Sequence, residues 1–161
     1  MTIDVTVTVP DTFFNLPATI KRIIDGMNGI LDSTATSFAA THDTWSATSK
    51  PAQTIVRAKQ SGNSIVGSVK LTGEIYALVN NGTDPRPRSA RSSKGMRFRR
   101  GYRRKTVPGR LVSGSSERFG PWVNKQHVVS GAIEAGNFDK TIADQEAPNL
   151  LKVAKSAPGG K

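Results

Sequence analysis

The chain has no cysteine, two histidines and few aromatic residues, 6% in all. Without thiols, neither disulfides nor thiolate chemistry is available, and synthesis in a reducing cytoplasm is the expectation. Scarce aromatics, set beside 15 glycines and 9 prolines, limit the packed core and assign much of the chain to loops or extensions. No run approaches the roughly 18 apolar residues that a membrane span needs. The opening Met1-Thr2-Ile3-Asp4 has neither the basic start nor the apolar stretch of a signal peptide. No membrane partner is expected.

The signatures of catalysis are also missing. There is no nucleophile elbow, P-loop, HExxH pair or glycine-rich dinucleotide fingerprint. The twelve carboxylates are scattered, and although Asp139, Asp144 and Glu146 share a predicted helix, no second cluster completes a metal site. His42 and His127 lie far apart in sequence. Neighbours on a helix point in different directions, so His42-Asp43 is expected to cap the helix or face solvent rather than act as a dyad. His127 is expected to border a strand. The expectation is a non-enzyme with no catalytic, cofactor or metal site.

What the chain does have is one block of positive charge. Of its 23 lysines and arginines, eleven fall between Arg86 and Arg110, a stretch without a single acid. They are Arg86, Arg88, Arg91, Lys94, Arg97, Arg99, Arg100, Arg103, Arg104, Lys105 and Arg110. The other twelve cations balance the twelve acids, so the net charge of +11 is a local feature on an otherwise neutral protein.

At 161 residues the length suits one domain around one core. Ile3, Val5, Val7 and Val9 alternate with polar residues, the period of a half-buried strand that Pro10 ends. Ile20, Ile23, Ile24, Met27, Ile30, Leu31 and Phe38 share one helical face. Pro17 suits the first turn, Asn15 is a plausible cap, and the helix should end between Thr41 and Trp45. Gly26 and Gly29 within it are read as close-packing positions. Strands over 54–60 and 64–71 flank Ser61-Gly62-Asn63, a hairpin turn. A brief apolar piece, 73–79, carries Tyr76 and closes at the turn signal Asn80-Asn81-Gly82-Thr83.

From about 84 to 124 the chain is rich in Arg, Ser, Gly and Pro without clear periodicity, and this reads as a long basic loop insertion, functional or disordered. A strand over 128–133 follows. A helix from about Phe138 then turns Phe138, Ile142 and Leu150 inward, with Pro148 expected to break or kink it. Residues 156–161 form a short flexible tail. The fold class is α+β: a long N-terminal amphipathic helix on a small antiparallel sheet, a C-terminal helix, and the basic insertion.

Arginine forks suit phosphate and carboxylate alike, and crowded cations favour an anionic partner. Phe98 and Tyr102 interleave with the cations, an arrangement suited to stacking on bases or anchoring on a protein. No base-reading motif is present, so any DNA contact should be made to the backbone. Phe119 and Trp122 would anchor the base of the loop by burial. The plain alternative is a solvated, mobile segment.

The order of elements, the segment Tyr76-Ala77-Leu78-Val79 followed by Gly82-Thr83, and the closing stretch 133–143 with Phe138 together resemble the HK97 gp10-like family of tailed-phage proteins. The chain departs from that family in having Asn where an acid often precedes Gly-Thr, and in the length of its basic insertion. The resemblance implies a virion protein of the neck or tail top, assembled in the host cytoplasm into a homo-oligomeric ring. Such a ring completes the tail and joins it to the head, beside other neck, connector or tail proteins and the genome DNA. Contact of the insertion with protein is slightly favoured, since a tight grip on DNA would hinder ejection. A sequence-independent nucleic-acid-binding protein and a tail terminator or minor capsid protein are the alternative readings.

Overall fold

A computed structural model describes residues 1–8, 17–91, 93–99, 109–111, 121–130 and 132–156. The proposed cap Asn15, Val9 and Pro10, the tail 157–161, and Arg100, Tyr102, Arg103, Arg104, Lys105 and Phe119 lie outside the described residues. So do the side chains of Arg88, Phe98, Arg99 and His127.

The body follows from two periodicities. Strand β1 (Thr2–Thr8) buries Val5 and Val7 and exposes the threonines and Asp4 between them. β2 (Ala52–Ser61) and β3 (Ser64–Thr72) form the expected hairpin, with Gly62 at φ 56 in its tight turn. The antiparallel sheet has the order β1-β3-β2. Across it lies α1 (Pro17–Thr41), which buries Ile20, Ile23, Met27, Ile30, Leu31, Ala35 and Phe38 along one face. A bulge interrupts β2 between Val56 and Lys59, and it frees the Ala58 N–H from the ladder. Asn28 of α1 accepts that N–H at 2.9 Å, so helix and sheet are tied where the ladder fails.

The last helix, α3 (Phe138–Lys155), runs antiparallel to α1. Arg22 donates to the Ser156 carbonyl at one end, and Ser33 meets Glu146 further along. Phe138 and Ile142 are buried and Leu150 is half-buried against the core, as expected. Pro148 does not break the helix. It sits among exposed residues, Asp144 and Ala147 included, so the carbonyl deprived of its N–H partner lies on the wet side.

The two helical glycines separate. A Cβ on Gly26 would lie 2.9 Å from both Val153 methyls, so this glycine lets α1 and α3 touch. A Cβ on Gly29 would meet nothing within 4 Å, and the packing role expected of it is not there.

The apolar piece around Tyr76 is a helix, α2 (Glu74–Asn81). It turns Tyr76 and Asn80, one turn apart, inward and leaves Ile75 and Leu78 exposed. Apolar residues on both faces of so short an element hide its period in the sequence.

A candidate interaction arm and its root

The basic insertion is not a structureless loop where it is described. β4 (Arg86–Ser89) pairs antiparallel with β7 (His127–Ser130), and β5 (Met96–Arg99) pairs antiparallel with β6 (Trp122–Lys125). A bridge between Thr83 and Ile133 continues the same register inward. The pairs are nested, so they make one two-stranded arm, going out through β4 and β5 and returning through β6 and β7. Its register jumps midway, between the pair Ser89–His127 and the pair Met96–Lys125, with Gln126 the one residue between them on the returning strand. Gln126 holds that loop: its carbonyl accepts the Ala90 N–H at 2.8 Å, and its Nε2 donates to the Ser93 carbonyl at 2.8 Å. Strands this short carry little of the two-residue alternation that betrays longer ones, so the arm was invisible to pattern reading.

The arm displays its charge. Arg86, Arg91, Lys94 and Arg97 are exposed on it, and Arg110, in the separate segment 109–111, is exposed as well. Arg91, Lys94, Arg97 and Arg110 enter neither of the ion pairs seen between described residues, Lys21–Asp25 and Arg57–Asp32. Arg88 and Arg99 stand in the ladder opposite Val128 and Trp122. Exposed Lys125 opposite Met96 adds a cation that lies past the basic block and that composition alone did not single out.

Trp122 departs from the expected anchor. It is 50% exposed, and the Arg97 guanidinium lies 4.5 Å from its ring centroid. Packing of the insertion against the body is instead seen at Gly109, whose N–H reaches the Gly136 carbonyl at 3.2 Å, and at Leu111, half-buried against the core.

The arm's root is tightly specified. Gly82 has φ 75, and a Cβ there would lie 2.6 Å from the Ile133 carbonyl oxygen, so only glycine lets the two arm strands meet at this point. Thr83 and Ile133 exchange N–H and carbonyl bonds at 2.8 and 2.9 Å. Beside them, Asn80 joins α2 to α3. Its Oδ1 accepts the N–H of Phe138 at 2.7 Å and of Asp139 at 3.3 Å, while its Nδ2 donates to Asp139 and to Asn81. The first turn of α3 is thus capped from another helix. Its own cap residue, Asn137, is left-handed at φ 50 and makes no side-chain cap bond.

Tyr76 seats α2 on the core. Its ring centroid lies 5.6–6.3 Å from those of Phe38, His42, Trp45 and Phe138, within reach of aromatic edge and tilted contacts. Thr41 Oγ1 donates to the Phe38 carbonyl and accepts the Tyr76 hydroxyl at 2.7 Å. Burial pushes the Tyr76 pKa up to about 12, despite that hydroxyl bond.

His42 neither caps nor faces solvent. It is 7% exposed, and neither ring nitrogen has a hydrogen-bond partner among the described residues. Burial, above all, holds its pKa below the ordinary value, with nearby Lys50 acting in the same direction and Asp43 against it. No sequence signal marked it, because the ring closes an aromatic cluster assembled from three helices and the turn that carries Trp45.

Among the described residues, no group of three or more His, Asp or Glu gathers as metal ligands would, and no helix is long and apolar enough to cross a membrane. Fold and site together define a small α+β domain bearing a cationic two-stranded arm. No protein-family model, curated protein or solved structure matches the chain.

Proposed function

We propose that this protein is a non-enzymatic structural subunit of a tailed-phage virion, forming a homo-oligomeric ring in the neck or tail top that completes the tail and joins it to the head. The observation that carries the reading is the arm: exposed cations on a built two-stranded element, rooted by Gly82, Thr83 and Asn80 on a body without net charge of its own. A charged limb on a rigid footing suits contact across a subunit boundary, with acidic faces of adjacent neck, connector or tail proteins. The proposed location rests on the resemblance read in 75–83 and 133–143 to tailed-phage proteins. Ile75, Leu78 and Leu151 leave apolar surface on the body that a ring interface would bury.

The Arg97–Trp122 pair favours one second reading, sequence-independent nucleic-acid binding. A half-exposed indole under a guanidinium offers a stacking surface beside phosphate donors.

Quantitative mass spectrometry of gradient-purified particles tests the first reading. A small, fixed copy number relative to the major coat protein supports it, and absence from particles removes it. Binding to random duplex at rising salt tests the second, since a backbone binder loses affinity steeply while a ring subunit outside its assembly binds weakly throughout.

A further inference from the structure

Two asparagines precede glycine in this chain, Asn28 and Asn81, and the fold treats them oppositely. Asn28 sits in the middle of α1 with its side-chain oxygen engaged by the Ala58 N–H, and Gly29 is inside the same helix. Asn81 is exposed and ends α2, and Gly82 lies beyond the helix. Asn80 Nδ2 donates to Asn81 Oδ1 at 2.8 Å. That bond draws electron density from the Asn81 amide carbonyl and would stabilise an oxyanion formed there. Asn81, Gly82, Thr83 and Asp84 also line an open groove of about 340 Å³, so water reaches the dipeptide.

We propose that Asn81 is a site of spontaneous deamidation at the root of the arm. The Gly82 backbone nitrogen attacks Asn81 Cγ and forms a new N–Cγ bond. The bond from Cγ to the amide nitrogen breaks, and that nitrogen leaves as ammonia with the proton given up by Gly82. Water then opens the resulting succinimide at either carbonyl, yielding aspartate or isoaspartate. The net change is addition of water and loss of ammonia, with no oxidation or reduction. Both products add a negative charge at the foot of a cationic arm. Isoaspartate also lengthens the main chain by one methylene between α2 and the strand that begins the arm.

The test is to incubate the purified full chain in mildly alkaline buffer, alongside a urea-unfolded sample. Tryptic peptides 71–88 and 23–57 are followed by mass spectrometry, with isoaspartate labelled by an isoaspartyl methyltransferase. In the folded protein, conversion at Asn81 should exceed that at Asn28 at least about tenfold, relative to their ratio in urea, the factor that ~1.4 kcal/mol of local helix opening imposes. Asn81→Gln should abolish conversion in peptide 71–88 while leaving the circular dichroism unchanged. Equal folded-state rates at the two sites, or persistence of the product in Asn81→Gln, would overturn the assignment.

Discussion

Replacing Asn80 with alanine should unseat the start of α3 and loosen the arm's root together. The side chain is 2% exposed and supplies the acceptor for the buried Phe138 N–H at 2.7 Å. Leaving a buried donor unpaired costs about 1–3 kcal/mol, and the small void left by the amide adds about 1 more. The expected loss is therefore about 2–4 kcal/mol. For a domain of this length each kcal/mol corresponds to roughly 2–4 °C in Tm, so thermal unfolding should move down by about 4–16 °C. The assay is urea unfolding followed by circular dichroism, with Asn81→Ala as the control. Asn81 is exposed and merely accepts one bond from Asn80, so its loss should cost no more than about 0.5–1 kcal/mol. Amide exchange adds a local readout, in which Phe138 and Asp139 should lose protection before the middle of α1 does. An Asn80→Ala protein within about 0.5 kcal/mol of wild type would refute the cap made between helices.

His42 makes stability fall on acidification. Its folded pKa lies below the ordinary value, so the unfolded chain takes up the proton first; the contribution is complete above about pH 6.5 and declines as pH falls through and below it. The urea midpoint of wild type should drop over that range more than that of His42→Leu; parallel pH profiles would contradict the burial of a neutral ring. Gly29→Ala should stabilise by about 0.5–1 kcal/mol, since its Cβ enters open space in a helix. Gly26→Ala should instead cost about 1–3 kcal/mol by crowding Val153, and denaturant midpoints that rank the two variants the other way would show the α1–α3 contact to be wrong. Replacing Arg91, Lys94, Arg97 and Arg110 together by glutamine should leave the urea midpoint within about 0.5 kcal/mol of wild type. The same protein should lose particle incorporation or duplex binding, and a collapse of its circular dichroism would mean that these cations hold the fold itself. The wider neutralisation of Arg97, Arg99, Arg100, Arg103 and Arg104 is expected to behave alike.

What was legible in the sequence was what depends on near neighbours. The alternation of Ile3, Val5 and Val7 and the spacing of Ile20 through Phe38 each describe a surface with one wet and one dry side. Such a pattern needs no knowledge of its partner, so β1, α1, the β2–β3 hairpin and the onset of α3 at Phe138 could be read directly. The confinement of the charge excess to 86–110 was legible for the same reason. Tertiary structure decided whatever depends on residues far apart in the chain. Residues 86–89 and 96–99 are strands because 122–130 return beside them, a pairing that four-residue segments do not announce. Asn80 reads as a turn residue locally, yet its oxygen caps a helix that begins 58 residues later. His42 reads as a polar end to a helix, and it is buried because Tyr76 and Trp45 close over it. Pro148 does not break α3, because it falls among exposed residues where water can reach the carbonyl it leaves unbonded. A propensity belongs to one residue, whereas the cost of an unpaired group is set by what packs against it, and only the folded chain supplies that neighbour.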